Sequence, residues 1–316
     1  MHKRQLGKTG IEVAPLCFGG NVFGWTIDEA QSFKMLDAFV ESGFNFIDTA
    51  NVYSNWVPGN SGGESETIIG SWLKARGHRQ KMVIATKVGG EMSPDRKNLK
   101  MDTIIVEVEA SLRRLQTDYI DLYQSHFDDL STPIEETLAA FDRLEKQGKV
   151  RAIGASNFSA QRLRESLHIS EQMKQASYVT LQPKYNLYDR QDFETNLEPL
   201  CLEMQVGVIP YYSLASGFLT GKYRSAADKA LSARGGKAIS YLNERGLRIL
   251  DALDLLAVDY NVKPATIALA WLMQRKSVVA PIASATTVTQ LKDLTKAVEI
   301  KLTHVEVEKL DFASRY

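Results

Sequence analysis

No stretch of the chain approaches the ~18 consecutive apolar residues that a membrane-spanning helix requires, and the opening MHKRQLGKTG lacks an apolar core of signal-peptide length. Cysteine is scarce. Cys17 and Cys201 are the only two among 316 residues, both lie in apolar context, and no pairing pattern links them. A reducing compartment is the simpler reading. Net charge is also missing, because 38 basic residues cancel 38 acidic ones. The chain therefore exerts no general pull on nucleic acid or anionic membrane. Five histidines are scattered without ligand spacing, so no metal site is expected. These absences describe a cytoplasmic globular protein with neither nucleic-acid nor membrane partners. They leave its oligomeric state open.

What is present is a hydrophobic fraction of 44%, enough for a large core. Residues 1–316 are expected to form one domain, since α/β barrels run this long undivided. A Gly-Lys-Thr-Gly turn between two short strand-like runs predicts an N-terminal β-hairpin. After it, short apolar runs alternate with helical patterns. Asp28 to Ser42 places Phe33, Leu36, Phe39 and Val40 on one face, with Gly43 as a stop. Helices are also predicted for ESETIIGSWLKARG, TIIVEVEASLRRL, Ser159 to His168, DFETNLEPLCLEMQ and from about Val288. Thr132-Pro133-Ile134-Glu135 predicts a capping box with proline at the first helical position, opening a helix to Gln147. Thr303-His304-Val305-Glu306 predicts a second box opening the last helix.

The strand-like runs LCFG, FNFID, MVIAT, IDLYQ, RAIGAS, VTLQP, GVIPY and VVAPI number about eight. Alternation with helices implies parallel strands and right-handed crossovers. Eight such units make a (β/α)8 TIM barrel preceded by the hairpin. A doubly wound open sheet is the alternative, weakened because GKTG lacks the G-x-G-x-x-G spacing and does not join strand to helix. The polar stretch Arg224 to Ser240 reads as a long mobile loop.

Barrel chemistry sits where strands end. Strand two ends at Asp48 with Tyr53 in the loop behind it. Strand three ends in Thr86-Lys87 and strand four in Ser125-His126. Singly, each has a bland reading: a capping aspartate, a solvated lysine, a structural histidine, a surface tyrosine. On three successive strand ends they converge on one mouth. An ammonium beside a phenol lowers its pKa from about 10. A carboxylate keeps that ammonium charged, and a neutral histidine can donate to a carbonyl oxygen. The set predicts a proton donor tuned toward neutral pH, with neither nucleophile nor metal beside it.

The ordered motifs GFNFIDTANVY, ATKVG, DLYQSHFDD, GKVRAIGASNF, LQPKYNLYDR and GVIPYYSLASGFLTGKY resemble those of the aldo-keto reductases over nearly the whole chain. The resemblance implies an oxidoreductase that reduces an aldehyde or ketone with hydride from NADPH, NADH being the alternative. It implies a catalytic tetrad of Asp48, Tyr53, Lys87 and His126, with Tyr53 as general acid. Ser156, Asn157 and Gln182 would hold the carboxamide, and Tyr211 would stack on the nicotinamide. Tyr212, Ser213, Leu214, Ser216, Gly217, Leu219 and Lys222 match the pyrophosphate segment, with Gly20 and Asn21 as a further cofactor-facing turn. Ser284, Thr286, Gln290 and Asp293 match the adenosine end.

Two departures stand out. Tyr211-Tyr212-Ser213 replaces the Tyr-Ser-Pro of many relatives. The adenosine segment has no arginine, and Lys292 is the only cation the sequence places near it. Losing a charged partner weakens a preference for NADPH without abolishing it. Phe23, Trp25, Trp56 and Phe127 suggest an apolar or aromatic pocket for a small-molecule carbonyl substrate, or loops simply packed on the barrel. A cofactor-binding regulatory protein resembling channel subunits is the alternative function on the same fold. A metal-dependent barrel hydrolase is disfavoured by the lack of a His-x-His pair after the first strand.

Overall fold

In the computed structural model, which describes residues 1–93 and 96–316, the chain opens with an antiparallel hairpin of β1 (Arg4–Gln5) and β2 (Glu12–Val13). Eight parallel strands follow: β3 (Cys17–Gly19), β4 (Phe46–Asp48), β5 (Val83–Val88), β6 (Leu122–Ser125), β7 (Ile153–Ser156), β8 (Tyr178–Gln182), β9 (Gly207–Val208) and β10 (Ile282–Ala283). They pair in sequence order, and β10 returns to β3. The remaining seam is closed by backbone bonds from Val279 N to Val208 O (2.7 Å) and Ile282 N to Pro210 O (2.9 Å). The fold is a (β/α)8 barrel with an N-terminal hairpin.

The helices are α1 (Glu29–Glu41), α2 (Glu64–Arg76), α3 (Met101–Leu115), α4 (Ile134–Lys146), α5 (Ala160–Met173), α6 (Glu198–Met204), α7 (Gly235–Ala238), α8 (Glu244–Asp259), α9 (Pro264–Met273), α10 (Val288–Thr295) and α11 (His304–Ala313). Two apolar layers result. Phe39, Trp72, Phe141 and Trp271 belong to the layer between strands and helices. Cys17, Phe46, Ala85, Leu122 and Ile209 fill the barrel together with Leu6, Ile11 and Val13 of the hairpin. The hairpin thus plugs one end. The Arg4 guanidinium fastens it by donating to Val278 O (2.8 Å) and Met273 O (2.6 Å). The other end, where the strands finish, stays open.

Several local expectations need correction. Thr132 does not cap α4: its hydroxyl donates to Asp129 Oδ2 (2.5 Å), and Pro133 takes the cap position. The box at Thr303 and Glu306 does form. α5 runs past His168 to Met173 because nothing in the intervening sequence breaks it, and Lys174 ends it with φ 51°. The stretch before α6 is a widened turn over Phe193–Leu197 rather than regular α-helix; Pro199 lacks the amide that would continue the ladder. Helices α8 and α9 were not read individually, although Asn243 caps the first and Pro264 opens the second. Arg224 to Ser240 is not an unstructured loop. It folds into short helical turns held by Arg224–Asp254 (2.7 Å) and Tyr223–Ser232 (2.6 Å).

Helices α2 and α3 touch at Gly70, where an added Cβ would lie 2.1 Å from Arg114 O and 2.7 Å from Leu115 C. Alanine normally stabilises a helix interior over glycine by roughly 0.5–1 kcal/mol. Here it meets backbone, and overpacking costs about 1–3 kcal/mol. Gly70→Ala is therefore expected to lower the urea midpoint at unchanged m-value; a raised midpoint would mean the two helices part freely.

Candidate active site

The period-two geometry of strands aims Asp48 and Lys87 into the barrel, where both are buried (1% and 0% exposed). Lys87 Nζ donates to Asp48 Oδ2 (2.6 Å), Thr49 O (2.8 Å) and Tyr53 Oη (3.0 Å), which engages all three protons. Asp48 Oδ1 accepts from Gln182 Nε2 (2.9 Å) and Gln124 Nε2 (3.2 Å). Tyr53 Oη also lies 3.4 Å from Asp48 Oδ2. The loop carrying Tyr53 is pinned from behind, where Asn51 Nδ2 donates to the buried Glu107 carboxylate (3.0 Å) and Asn51 N to Lys87 O (3.3 Å).

The electrostatics differ from the sequence expectation in one respect. Burial pushes Tyr53 up to about 12, and Lys87 pulls it down without prevailing. The ring is part-buried at the cleft floor. In the protein alone Tyr53 is thus a neutral phenol, not one tuned toward neutral pH. For Lys87, burial works against the charge, but Asp48 and Tyr53 reverse it and the net direction is upward. The ammonium stays charged. His126 is held well below its usual range by burial and by Lys87, so its ring is neutral at pH 7. Nδ1 is buried without a partner beside Gly90, which leaves Nε2 for the cleft. The His126 ring centroid stands 6.1 Å from that of Tyr53.

Asp48, Tyr53, His126 and Gln182 line the floor of a cleft of about 870 Å³ at the open end of the barrel, with Lys87 buried beneath it. On one side Ser156, Asn157 and Tyr211 form a bonded set: Tyr211 Oη donates to Asn157 Oδ1 (2.8 Å), and Asn157 Nδ2 to Ser156 Oγ (3.1 Å). Further along lies Tyr212 to Gly217, with left-handed φ at Tyr212 (53°), Ala215 (48°), Ser216 (58°) and Gly217 (95°). The Ser216 hydroxyl is buried without a partner. Beyond it Ser284, Thr286, Gln290 and Asp293 line the far end.

A family model described as the aldo/keto reductase family matches residues 15–315. The chain belongs to that family. It is 37% identical over 309 residues to "Uncharacterized oxidoreductase YrpG" of Bacillus subtilis, covering 96% of this chain and 92% of the relative. A "Probable voltage-gated potassium channel subunit beta" of Arabidopsis thaliana is 33% identical, covering 98% and 96%. An "Aryl-alcohol dehydrogenase [NADP(+)]" of Phanerodontia chrysosporium is 30% identical, covering 98% and 85%.

Aldo/keto reductases bind a nicotinamide dinucleotide, and the cleft fits one. The orphaned Ser216 hydroxyl and the left-handed backbone around it suit an anion, with Lys222 on the same wall. Most of the expected residues face this cleft. Gly20 does not: it is buried, and its carbonyl accepts from Ser65 Oγ (2.8 Å). The Leu219 side chain lies in the core. Phe23 is fully buried and stacked on Phe18 at 5.4 Å, because its neighbours turn it inward rather than toward solvent. Trp25 sits behind Trp56, edge-on at 5.5 Å. Trp56 and Phe127 do line the cleft, and Phe127 stacks on His126 at 4.7 Å. Gln182 supports Asp48, so its amide hydrogens already have a partner.

Several residues in or beneath the cleft escaped the sequence reading. Gln124 stands mid-strand in DLYQSH, a polar residue in an apolar run, which was a readable signal. Arg234 and Lys237 arrive from the segment read as loop, and Lys263 from the start of α9. Lys237 Nζ donates to Tyr212 Oη (2.8 Å). Arg234 lies over the Trp25 ring (5.2 Å). With its amide turned to suit both neighbours, Asn21 donates to Ser284 Oγ (2.7 Å) and accepts from Arg234. Lys292 does not line the cleft, which corrects the expectation that it is the nearest cation.

Tyr53 carries a pH signature. Its folded pKa is about 12, against about 10 unfolded. Between these values the unfolded chain has lost a proton that the native state keeps, so stability falls as pH rises through the window. Tyr53→Phe should flatten that fall by one proton in urea unfolding across the range. Parallel curves for the two proteins would show that Tyr53 is not held protonated.

Proposed function

We propose that this aldo/keto reductase reduces an aldehyde or ketone to an alcohol with NADPH. The observation that carries the reading is the buried Asp48–Lys87–Tyr53 chain, which opens beside a neutral His126 onto a dinucleotide-sized cleft. A reduced nicotinamide supplies hydride to the carbonyl carbon when bound. Ser156, Asn157 and Gln182 would hold its carboxamide, Tyr211 its ring face, and Leu214, Ser216, Gly217 and Lys222 the pyrophosphate.

The chain's own residues handle the oxygen and the proton. His126 donates from Nε2 to the carbonyl oxygen and orients it. Tyr53 gives its proton to that oxygen as negative charge develops there. An alkoxide is a much stronger base than a phenolate, so a phenol at about 12 still transfers its proton downhill. Lys87 steadies the phenolate left behind, and Asp48 keeps Lys87 charged and in place. Trp56 and Phe127 offer apolar walls to the substrate.

Tyr53→Phe is expected to remove most turnover, at least about 100-fold by the usual worth of a general acid, while NADPH binding stays near wild type. Equal loss of both would make Tyr53 structural. The Arabidopsis relative's name favours a second reading, a cofactor-binding regulatory subunit with little turnover. A panel of aldehydes with NADPH separates the two, since binding without turnover selects the second.

Binding and chemistry should separate at Lys87 as well. Lys87→Met is expected to cripple turnover, with the surviving activity shifted to higher pH because the phenolate loses its cation. Retained activity with an unmoved profile would overturn the assigned role.

A further inference from the structure

The far end of the cleft poses a problem of supply. Its hydroxyls are already engaged, and the donors left over, the Gln290 side-chain amide and the first amides of α10, carry no charge. Thr286 N and Thr286 Oγ1 both donate to Gln290 Oε1 (2.9 and 3.1 Å), and Gln290 N donates to Thr287 Oγ1 (3.2 Å). Ser284 Oγ donates to Gly19 O (2.7 Å). Asp293 lines the same end, and a carboxylate alone would repel a phosphate there while suiting a ribose hydroxyl. Left to these residues, the end could hydrogen-bond a 2′-phosphate but would offer it no positive charge to offset Asp293.

Four cations line the cleft, and three are placed elsewhere. Arg234 is committed to Asn21 and the Trp25 ring, Lys237 to Tyr212, and Lys222 lies 5.0 Å over the Tyr223 ring. Lys263 is the fourth. Its neighbours fix where its stem emerges. Pro264 packs on the turn at Gly221, within 3.3 Å of where a Cβ would stand. Ala265 lines the cleft, and Thr266 Oγ1 donates to Asp293 O (2.8 Å). Lys263 therefore rises between the Gly221–Lys222 turn and α10. It is exposed, and among the described residues it is paired with no carboxylate.

We propose that Lys263 is the cation that receives the 2′-phosphate and thereby sets a preference for NADPH over NADH. The inference rests on the reading of the cleft as a dinucleotide site. A charge-assisted contact of this kind is stronger than a neutral one. A lysine serves as a point charge on a flexible stem, which suits a site whose other donors are fixed.

The test is a tryptophan-fluorescence titration of the full chain with NADPH and separately with NADH, using Trp25 and Trp56 as reporters, for wild type, Lys263→Ala, Lys263→Arg and Lys292→Ala. Lys263→Ala is expected to weaken NADPH about tenfold, the worth of one hydrogen bond to a charged group, and to leave NADH unchanged. Lys263→Arg should keep the preference, and Lys292→Ala should behave as wild type. Competition by 2′-AMP should weaken in Lys263→Ala, and competition by 5′-AMP should not. An unchanged NADPH-to-NADH ratio in Lys263→Ala, or equal loss of both, overturns the assignment and leaves the oxidoreductase reading standing. Wild type that binds neither dinucleotide overturns both.

Discussion

The contact on which the rest of the site depends is the ion pair between Lys87 and Asp48, 2.6 Å long and shut away from solvent. Two charges taken out of water are costly, and mutual attraction offsets that only if the remaining protons and lone pairs are satisfied. Here they are: Thr49 and Tyr53 take the other ammonium protons, and two glutamine amides take the second carboxylate oxygen. Removing one member would leave the other buried and unpaired, a loss of about 3–5 kcal/mol in comparable pairs. The network therefore fixes the geometry of four strand ends at once. Asp48 belongs to β4, Lys87 to β5, Gln124 to β6 and Gln182 to β8.

That arrangement requires an asymmetric barrel. Leu6, Ile11 and Val13 seal one end with apolar side chains, so the interior stays dry beneath the charges. A dry floor strengthens every electrostatic term above it. The same dryness explains why burial, rather than Lys87, decides the direction of the Tyr53 shift. At the open end the segment containing α7 crosses back toward the β3 loop through Arg234 and toward Tyr212 through Lys237. Tyr212 is thus tied to that segment, its hydroxyl accepting from Lys237 Nζ at the cleft wall.

Much of the fold was legible because the barrel's signals are local. Apolar runs ending in polar residues marked the strands, and Gly43, Gly77 and Gly148 marked helix ends. That Asp48, Tyr53, Lys87 and His126 come together was legible because all four stand at or just behind strand ends. What was not legible depends on contacts between distant segments. Phe23 looked like a pocket wall until Phe18 was seen to stack on it. Thr132 fitted a capping box, yet Asp129, three residues earlier, takes its hydroxyl. Lys263 carries no motif, and only the seating of Pro264 on Gly221 and of Thr266 on Asp293 brings it to the cleft. Composition misled at Arg224 to Ser240, where polar residues bond one another and their neighbours and so hold short turns.

The two ends of the cleft are built on opposite principles. Beneath Tyr53 the Asp48–Lys87 pair is buried and multiply bonded, and the backbone is held by Asn51 and Glu107. Such a site is pre-organised, which is what transition-state stabilisation demands. Toward the far end Lys263 lines the cleft exposed, and Thr286 bonds within its own segment to Gln290. Electrostatic contacts there are screened by salt and replaceable by single substitutions. Effects at sites without shared partners add nearly independently, and no partner is shared between the Asp48 network and the Thr286–Gln290 pair. Under the proposed reading, a barrel of this design can change which dinucleotide it accepts without disturbing the proposed donor Tyr53. Under the same reading, it can lose that donor while still holding a dinucleotide. That separation gives a physical reason why one family contains relatives named as oxidoreductases and others named as channel subunits.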